Sequence, residues 1–435
     1  MAEWEAINTL FDYEKGTLQS SKCTPGKYAF ITAAEGWKTH DIFTHDCEAL
    51  IFAMAASGSL GRTHYVNGKF ISSDLCFILT PKNGLRLDLA FYYRLFNFLR
   101  ADIVKKTATG TSKLAINQTN FGAYKLPYFD YDHQLRFRGK IETITGINEE
   151  FFKGMNYQLS LITKLRQAVL QDAIEGKLTA EWRKQNPHLI SGEKHASRLL
   201  EKIKAAKDQL IKDGGIRESR EISNSTTIRD MQIPVGWAWA KGEDIFFVTK
   251  LAGFEYTKYI NLKESGKVPV IRAQNVRPLQ ITTESLLYID LETSKILERS
   301  ALTKECLLVT FIGAGIGDVA TFHERDRWHL APNVAKMEPY GERSYLSLRY
   351  LNYYLMAKTG QREIFKHVKA TAQPCLSMGT IRDIDYLIPP IAEQKAIVER
   401  VDELMAMIND LKKQVTDRKG QSELLMQSVL REAFQ

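Results

Sequence analysis

The sequence predicts an α+β protein: two globular domains separated by two long antiparallel helices that form a coiled coil. Three observations predict it. The chain repeats itself with a period near 260 residues. Each copy closes on a long apolar stripe at helical spacing. The stretches between mix strand-like and helix-like runs without a regular alternation of parallel strands and helices.

The repeat is clearest where the middle of the chain matches its end. Leu165–Ile174 (LRQAVLQDAI) resembles Leu425–Phe434 (LMQSVLREAF), and an offset of 260 places Leu170 on Leu430, Ala173 on Ala433 and, upstream, Gln134 on Gln394. A proline precedes each glutamine, in LPYFDYDHQ and IPPIAEQ. Further back, Lys106–Ala115 matches Val368–Ser377, and 18 residues separate Thr109 from Pro127 as they do Thr371 from Pro389. Shorter matches keep the same order: Trp4 and Leu10-Phe11 with Trp239 and Ile245-Phe246, FITAA with VIRAQ, and SGSLGR with GAGIGD.

The elements follow. Residues 1–133 form a first globular domain and residues 134–183 a helical region; 184–233 hold a helix (Ser197–Lys212) and a polar, mobile linker (Asp213–Asp230). Residues 234–388 form a second globular domain and 389–435 a second helical region. The C-terminal helix carries Ile397, Val401, Leu404, Ile408, Leu411 and Val415 at three- and four-residue steps, and Pro389 and Pro390 must precede it. About 40 residues at roughly 1.5 Å each make a rod of about 60 Å. The central helix repeats the stripe from Ile141 to Val169 and meets a natural stop at Gly176. Two rods with one sticky face each should pair. In the globular halves, Ala49–Met54, Lys69–Leu79, Val268–Ala273 and Cys306–Gly313 read as strands, Leu87–Val104 and Ser347–Gly360 as helices.

A net charge of +8 and a pI near 9.0 lean towards a polyanionic partner. The five cysteines are odd in number and widely spaced, which suits reduced thiols in a cytoplasm rather than a disulfide framework or a zinc site. The acidic N-terminus is unlike a signal peptide, and no apolar run is long enough to span a membrane. Phosphate loop, adenine-methyltransferase, metalloprotease and serine-hydrolase motifs are absent, so neither a catalytic site nor a metal site is expected. Gly313–Gly317 (GAGIG) lacks the βαβ setting of a nucleotide loop and reads as a tight hairpin or a close backbone approach. His40, Asp41, His45 and Asp46 suit a solvated loop better than a metal pair.

Four stretches give the chain a family likeness: Ile233–Trp239 (IPVGWAW), Val268–Val276 (VPVIRAQNV), Ile388–Met405 (IPPIAEQKAIVERVDELM) and Leu165–Arg183 (LRQAVLQDAIEGKLTAEWR). Together they resemble the specificity (S) subunit of Type I restriction-modification enzymes, the HsdS family. The likeness covers nearly the whole chain, although the first half lacks the Ile-Pro lead and has FITAAEGW in place of VIRAQNV. It implies two target recognition domains, each reading half of a split DNA site, and helices that act as a ruler and dock two methyltransferase subunits. It further implies S-adenosylmethionine on those partners, and ATP and Mg on the motor-nuclease subunits that join for cleavage. This chain itself would bind no cofactor and carry out no catalysis.

Base edges are read by Arg, Lys, Asn and Gln, and phosphates are held by Lys, Arg, Ser and Thr. In the second half the candidates are Lys250, Tyr256 and Lys258 in a glycine-bearing loop (Lys250–Tyr259), then Arg272, Gln274, Asn275 and Arg277, and Arg325 and Arg327. Lys366, Lys369, Thr371 and Gln373 recur in the first half as Lys105, Lys106, Thr109 and Thr111, a pattern suited to phosphates. Arg62, His64 and Lys113 complete the DNA set; Leu178, Trp182 and Phe434, at the helix ends, are the candidates for partner docking. Two readings compete: a specificity subunit of another restriction class, and a coiled-coil scaffold that binds protein. Salt-insensitive binding in a gel shift would favour the scaffold, because phosphate contacts release counterions.

Overall fold

The computed structural model describes residues 3–56, 58–110, 114–216, 233–313, 315–366, 368 and 375–433. The chain divides into two compact units: 1–158 with 414–435, and 159–413. Both boundaries fall inside long helices, Tyr131–Ile174 and Ile391–Ala433. The expected linker lies largely outside the described residues; the helix before it runs from Ala196 to Lys212.

The first unit is built on a six-stranded sheet. Its strand order is Phe11–Lys15, Cys76–Pro81, His45–Ala53, Thr63–Ser72, Tyr28–Ile31, Lys38–His40, and only the Thr63–Ser72/Tyr28–Ile31 pairing is parallel. One face buries Phe11, Phe52 and Phe77 against Phe91, Tyr92 and Phe96 of helix Leu89–Phe98 and Phe121 of helix Gln118–Ala123. The run Lys69–Leu79, expected as one strand, is two. Ser73–Leu75 turn the chain, with the Leu75 amide donating to Ser73 Oγ and the Cys76 amide to Ser73 O. Leu87–Val104 likewise divides at Leu99 into helices Leu89–Phe98 and Arg100–Thr107.

The second unit spreads the same plan over two four-stranded sheets, one ordered Phe246–Lys250, Val334–Pro339, Cys306–Thr310, Val319–Phe322, the other Leu287–Ile289, Val268–Ile271, Trp328–Leu330, Ala301–Leu302. Again a single pairing is parallel, Val268–Ile271 with Trp328–Leu330. The core gathers Trp237, Tyr350, Tyr354 and Tyr386 with Val169, Leu170, Ala173 and Ile174 from one long helix and Ile397, Val401, Met405 and Ile408 from the other. Gly176 ends the central helix at φ +70°.

The repeat seen in the sequence is structural. Glu3–Ala6 pairs with Lys125–Tyr128 as Ala238–Lys241 pairs with Asp385–Ile388. Gln134 and Gln394 are fully buried and do the same work. Gln134 Oε1 accepts from the Asp88 amide (2.7 Å) and its Nε2 donates to Phe129 O (2.7 Å). Gln394 Oε1 accepts from the Ser347 amide (2.8 Å) and its Nε2 donates to Pro389 O (2.9 Å). Asp88 and Ser347 are themselves N-caps, accepting from the amides of Phe91 and Tyr350. Each glutamine thus fastens the foot of a long helix to the start of a short one.

The long helices pair antiparallel within each unit. In the first, Ser422 Oγ donates to Asn148 Oδ1 (2.6 Å) and Lys419 lies 5.6 Å from the Phe152 ring. In the second, Arg166 donates to Asn409 Oδ1. Glu393, at the foot of the C-terminal helix, is buried and accepts from Thr179 Oγ1 (2.7 Å), Trp237 Nε1 (2.8 Å) and Arg183.

Candidate nucleic-acid interface

Each unit brings two segments together: the loop leaving the parallel strand, and a largely half-buried glycine hairpin, which in the second unit belongs to the other sheet. The hairpin reading of GAGIG holds. Gly317 donates to Thr310 O and Thr310 to Asp318 O, as Gly61 donates to Ala53 O and Ala53 to Arg62 O. Gly61 (φ +77°) and Gly317 (φ +85°) take the left-handed conformation such a turn needs. In the first unit Arg62 Nη1 donates to Ala33 O (3.2 Å) and Ser59 Oγ (3.2 Å), tying the hairpin to the loop. In the second, Arg277 lies beside Asp318; burial pushes that carboxyl up, and the guanidinium pulls it the other way.

His64 is buried, and burial is the larger influence on it, holding its pKa below the usual value; the carbonyls of Ala34 and Thr32 act the other way. Its Nδ1 accepts from Trp37 Nε1 (3.2 Å). The imidazole therefore sits behind the loop, and the exposed Trp37 ring sits in front. Trp37 was not among the sequence candidates. An exposed Trp in FITAAEGW, where the second half has VIRAQNVR, is the signal that could have found it.

Several candidates stand here. Lys250 lies 4.7 Å from the Phe311 ring, just before the hairpin. Gln274 is exposed in the turn Ala273–Asn275. Arg272 Nη2 donates to Ser285 O and Arg277 Nη1 to Val276 O, so both guanidiniums are partly engaged. Tyr256 and Lys258 belong to a helix, Gly253–Tyr259, rather than to the loop expected there. Glu255 Oε2 accepts from the Ala252 amide (3.1 Å) and stabilises its first turn. Arg325, Lys105 and Thr109 are exposed; Lys106 is exposed and paired with Asp102 (2.8 Å).

Three candidates are held by other groups of the protein. Asn275 is fully buried and spends its amide on Thr282 O, Glu284 O and the Arg272 amide. Arg327 is occupied by Ser294 and Glu298. Lys366 lies in a buried ion cluster with Glu363 (2.8 Å), Asp383 (3.1 Å) and Asp385 (3.7 Å), beside Lys241. Its counterpart in the first unit, Lys105, is exposed instead. His40 is likewise no solvated-loop residue: it is buried in strand Lys38–His40, and its Nδ1 receives the Thr24 amide, while His45 stacks on Phe70. Among the described residues, no group of three His, Cys, Asp or Glu is placed to hold a metal ion. No described helix is long and apolar enough to cross a membrane.

Leu178 packs against the second unit's core and Trp182 is half-buried. Thr111, Lys113, Lys369, Thr371, Gln373 and Phe434 lie outside the described residues. A groove of about 2140 Å³ in the second unit gathers Lys304, Arg325, Arg343, Arg349, Lys395 and Arg166. These come from separate segments, and only the fold assembles them.

One plan built twice, with unlike side chains on the paired loop and hairpin, defines a two-headed recognition protein. The chain belongs to the family of the Type I restriction modification DNA specificity domain, which matches residues 1–134 and 234–418. That family is one of non-catalytic specificity subunits. The EcoDI specificity subunit of Escherichia coli is 22% identical over 445 residues, covering 99% of this chain and 88% of that one. The EcoBI specificity subunit of Escherichia coli is 38% identical over 96 residues, 22% of this chain and 19% of its own length. A chain from a structure of the type I R-M system, solved to explain complex assembly and conformational transition, matches this fold. It has a TM-score of 0.60 at 13% identity, covering 100% of this chain and 97% of that one.

Proposed function

We propose that this chain is the sequence-specific DNA recognition subunit of a Type I restriction-modification complex, reading a bipartite site with one half assigned to each unit. The carrying observation is the duplicated loop-and-hairpin pair, whose scaffold is shared and whose exposed residues differ. Lys250, Tyr256, Lys258, Arg272, Gln274, Arg277 and Arg325 would contact DNA in the second unit; Arg62, His64, Lys105, Lys106 and Thr109 would contact or support it in the first. Thr111, Lys113, Lys369, Thr371 and Gln373 keep the same assignment from the sequence.

The long helices supply a reason to expect two copies of one partner. Large apolar residues stay exposed at positions related by the repeat: Ile147 (64%) and Met407 (61%), Phe151 (45%) and Leu411 (46%), Leu165 (45%) and Leu425 (66%). Exposed apolar groups in clusters mark interfaces. Equivalent surfaces in the two units suit two methyltransferase subunits, with Leu178, Trp182 and Phe434 at the helix ends. S-adenosylmethionine would sit on those subunits, and ATP and Mg on motor-nuclease subunits, in a cytoplasmic assembly.

Methylome sequencing with and without the gene tests the proposal. A split, adenine-methylated motif that vanishes on deletion is the expected result. An unchanged methylome, or chain–DNA binding indifferent to salt, would overturn it.

A further inference from the structure

The two reading surfaces carry opposite chemistry, and this inference rests on the DNA-reading function proposed above. The strands Tyr28–Ile31 and Val268–Ile271 occupy the same place in their units, each parallel to one neighbour and antiparallel to another. Aligning Phe30 with Val270 places Ala34 on Gln274, Glu35 on Asn275 and Trp37 on Arg277. The first unit's tip, Ala34–Trp37, is exposed and offers a methyl group, a carboxylate and an indole. The indole's one polar atom is already donated to His64 Nδ1 at 3.2 Å, with the rings 6.1 Å apart and nearly perpendicular. What remains of Trp37 is a fixed apolar surface, 47% exposed. His64 and Arg62 hold it from behind, Arg62 through Ala33 O. No side chain of this tip has a hydrogen-bond donor to spare. The second unit's tip offers the Gln274 amide and the Arg277 guanidinium instead.

In the major groove, purines present acceptors matched by Arg and Gln, thymine presents a methyl group, and cytosine presents an amino group that a carboxylate can accept. We infer that the first unit reads pyrimidine edges, with Trp37 packed on a thymine methyl and Glu35 accepting from a cytosine amino group, while the second reads purine edges through Gln274 and Arg277. Trp37 and Glu35 are thereby assigned as specificity-determining residues and His64 as the residue that positions Trp37.

The test uses the full chain with its methyltransferase subunits, on duplexes carrying the methylome-defined motif, read by fluorescence anisotropy. Deoxyuridine replaces thymidine in one half-site at a time, which removes only the methyl group. Substitution in one half-site should weaken wild-type binding by at least about fivefold, the lower end of the usual effect of one wrong base pair. Trp37→Ala should bind the thymine and uracil duplexes equally, Trp37→Phe should keep part of the preference, and Arg277→Ala should act through the other half-site. Matching thermal melts show that the variants fold. The inference is overturned if neither half-site senses the methyl group, if Trp37→Ala still distinguishes thymine from uracil, or if the first unit's half-site holds only G·C pairs. A complex with no motif preference at all would instead overturn the recognition function itself.

Discussion

Replacing either buried glutamine should unfasten one unit and leave the other intact. Gln134→Met and Gln394→Met keep most of the side-chain volume and remove both hydrogen bonds. Each leaves one backbone amide (Asp88 or Ser347) and one carbonyl (Phe129 or Pro389) buried without its partner. An unsatisfied buried group costs about 1–3 kcal/mol, so each variant should lose about 2–6 kcal/mol. That is a large share of a typical domain stability of about 5–15 kcal/mol. Urea unfolding gives the magnitude, and hydrogen exchange read by mass spectrometry gives the place. Gln134→Met should speed exchange in the peptide containing Asp88, and Gln394→Met in the peptide containing Ser347. Variants within about 0.5 kcal/mol of wild type, the range of an ordinary surface substitution, would refute the account. So would faster exchange in the wrong unit.

Three further outcomes are expected. Glu393→Ala strands Arg183, Trp237 and Thr179, and should destabilise the second unit by about 3–5 kcal/mol in chemical denaturation; Glu393→Gln, which keeps the acceptor, should lose less. Arg325→Ala should weaken DNA binding and reduce the salt slope by about one while leaving the melting temperature unchanged, whereas Arg327→Ala should lower stability, because only Arg327 is occupied by protein groups. Burial holds the pKa of both His64 and His329 below the ordinary 6.5. Above that value both the folded and unfolded states are neutral; below it the unfolded chain takes up protons that the folded one refuses. These two imidazoles should therefore make melting temperatures fall as pH drops through 6.5, with a shallower fall in His64→Gln; an unaltered slope in that variant would remove His64 from the explanation.

Periodic and repeated features were legible in the sequence. The Gln134–Gln394 register and the stop at Gly176 follow from local spacing and are kept in the structure; of the stripes, Ile141, Met155, Val169, Ile397, Val401, Ile408 and Val415 are buried, whereas Ile147, Phe151, Leu165 and Leu411 face solvent. What escaped was decided by distant partners. Lys366 reads as a surface cation because Glu363, Asp383 and Asp385 close around it only in the fold. Arg327 looked free until Ser294 and Glu298 came beside it. Asn275 looked like a base reader, yet its amide finds two carbonyls seven and nine residues on. Trp37 escaped for a different reason: an exposed indole gives no periodic signal, and only its bond to His64 shows that it is held in place.

The glutamine clasp has one more implication. Both of its bonds end on main-chain atoms, an amide and a carbonyl, which every residue but proline supplies alike. The clasp itself therefore asks nothing of the side chains at the positions it grips. Those positions are free to differ between the two halves, as they do where Asp88 stands in one and Ser347 in the other.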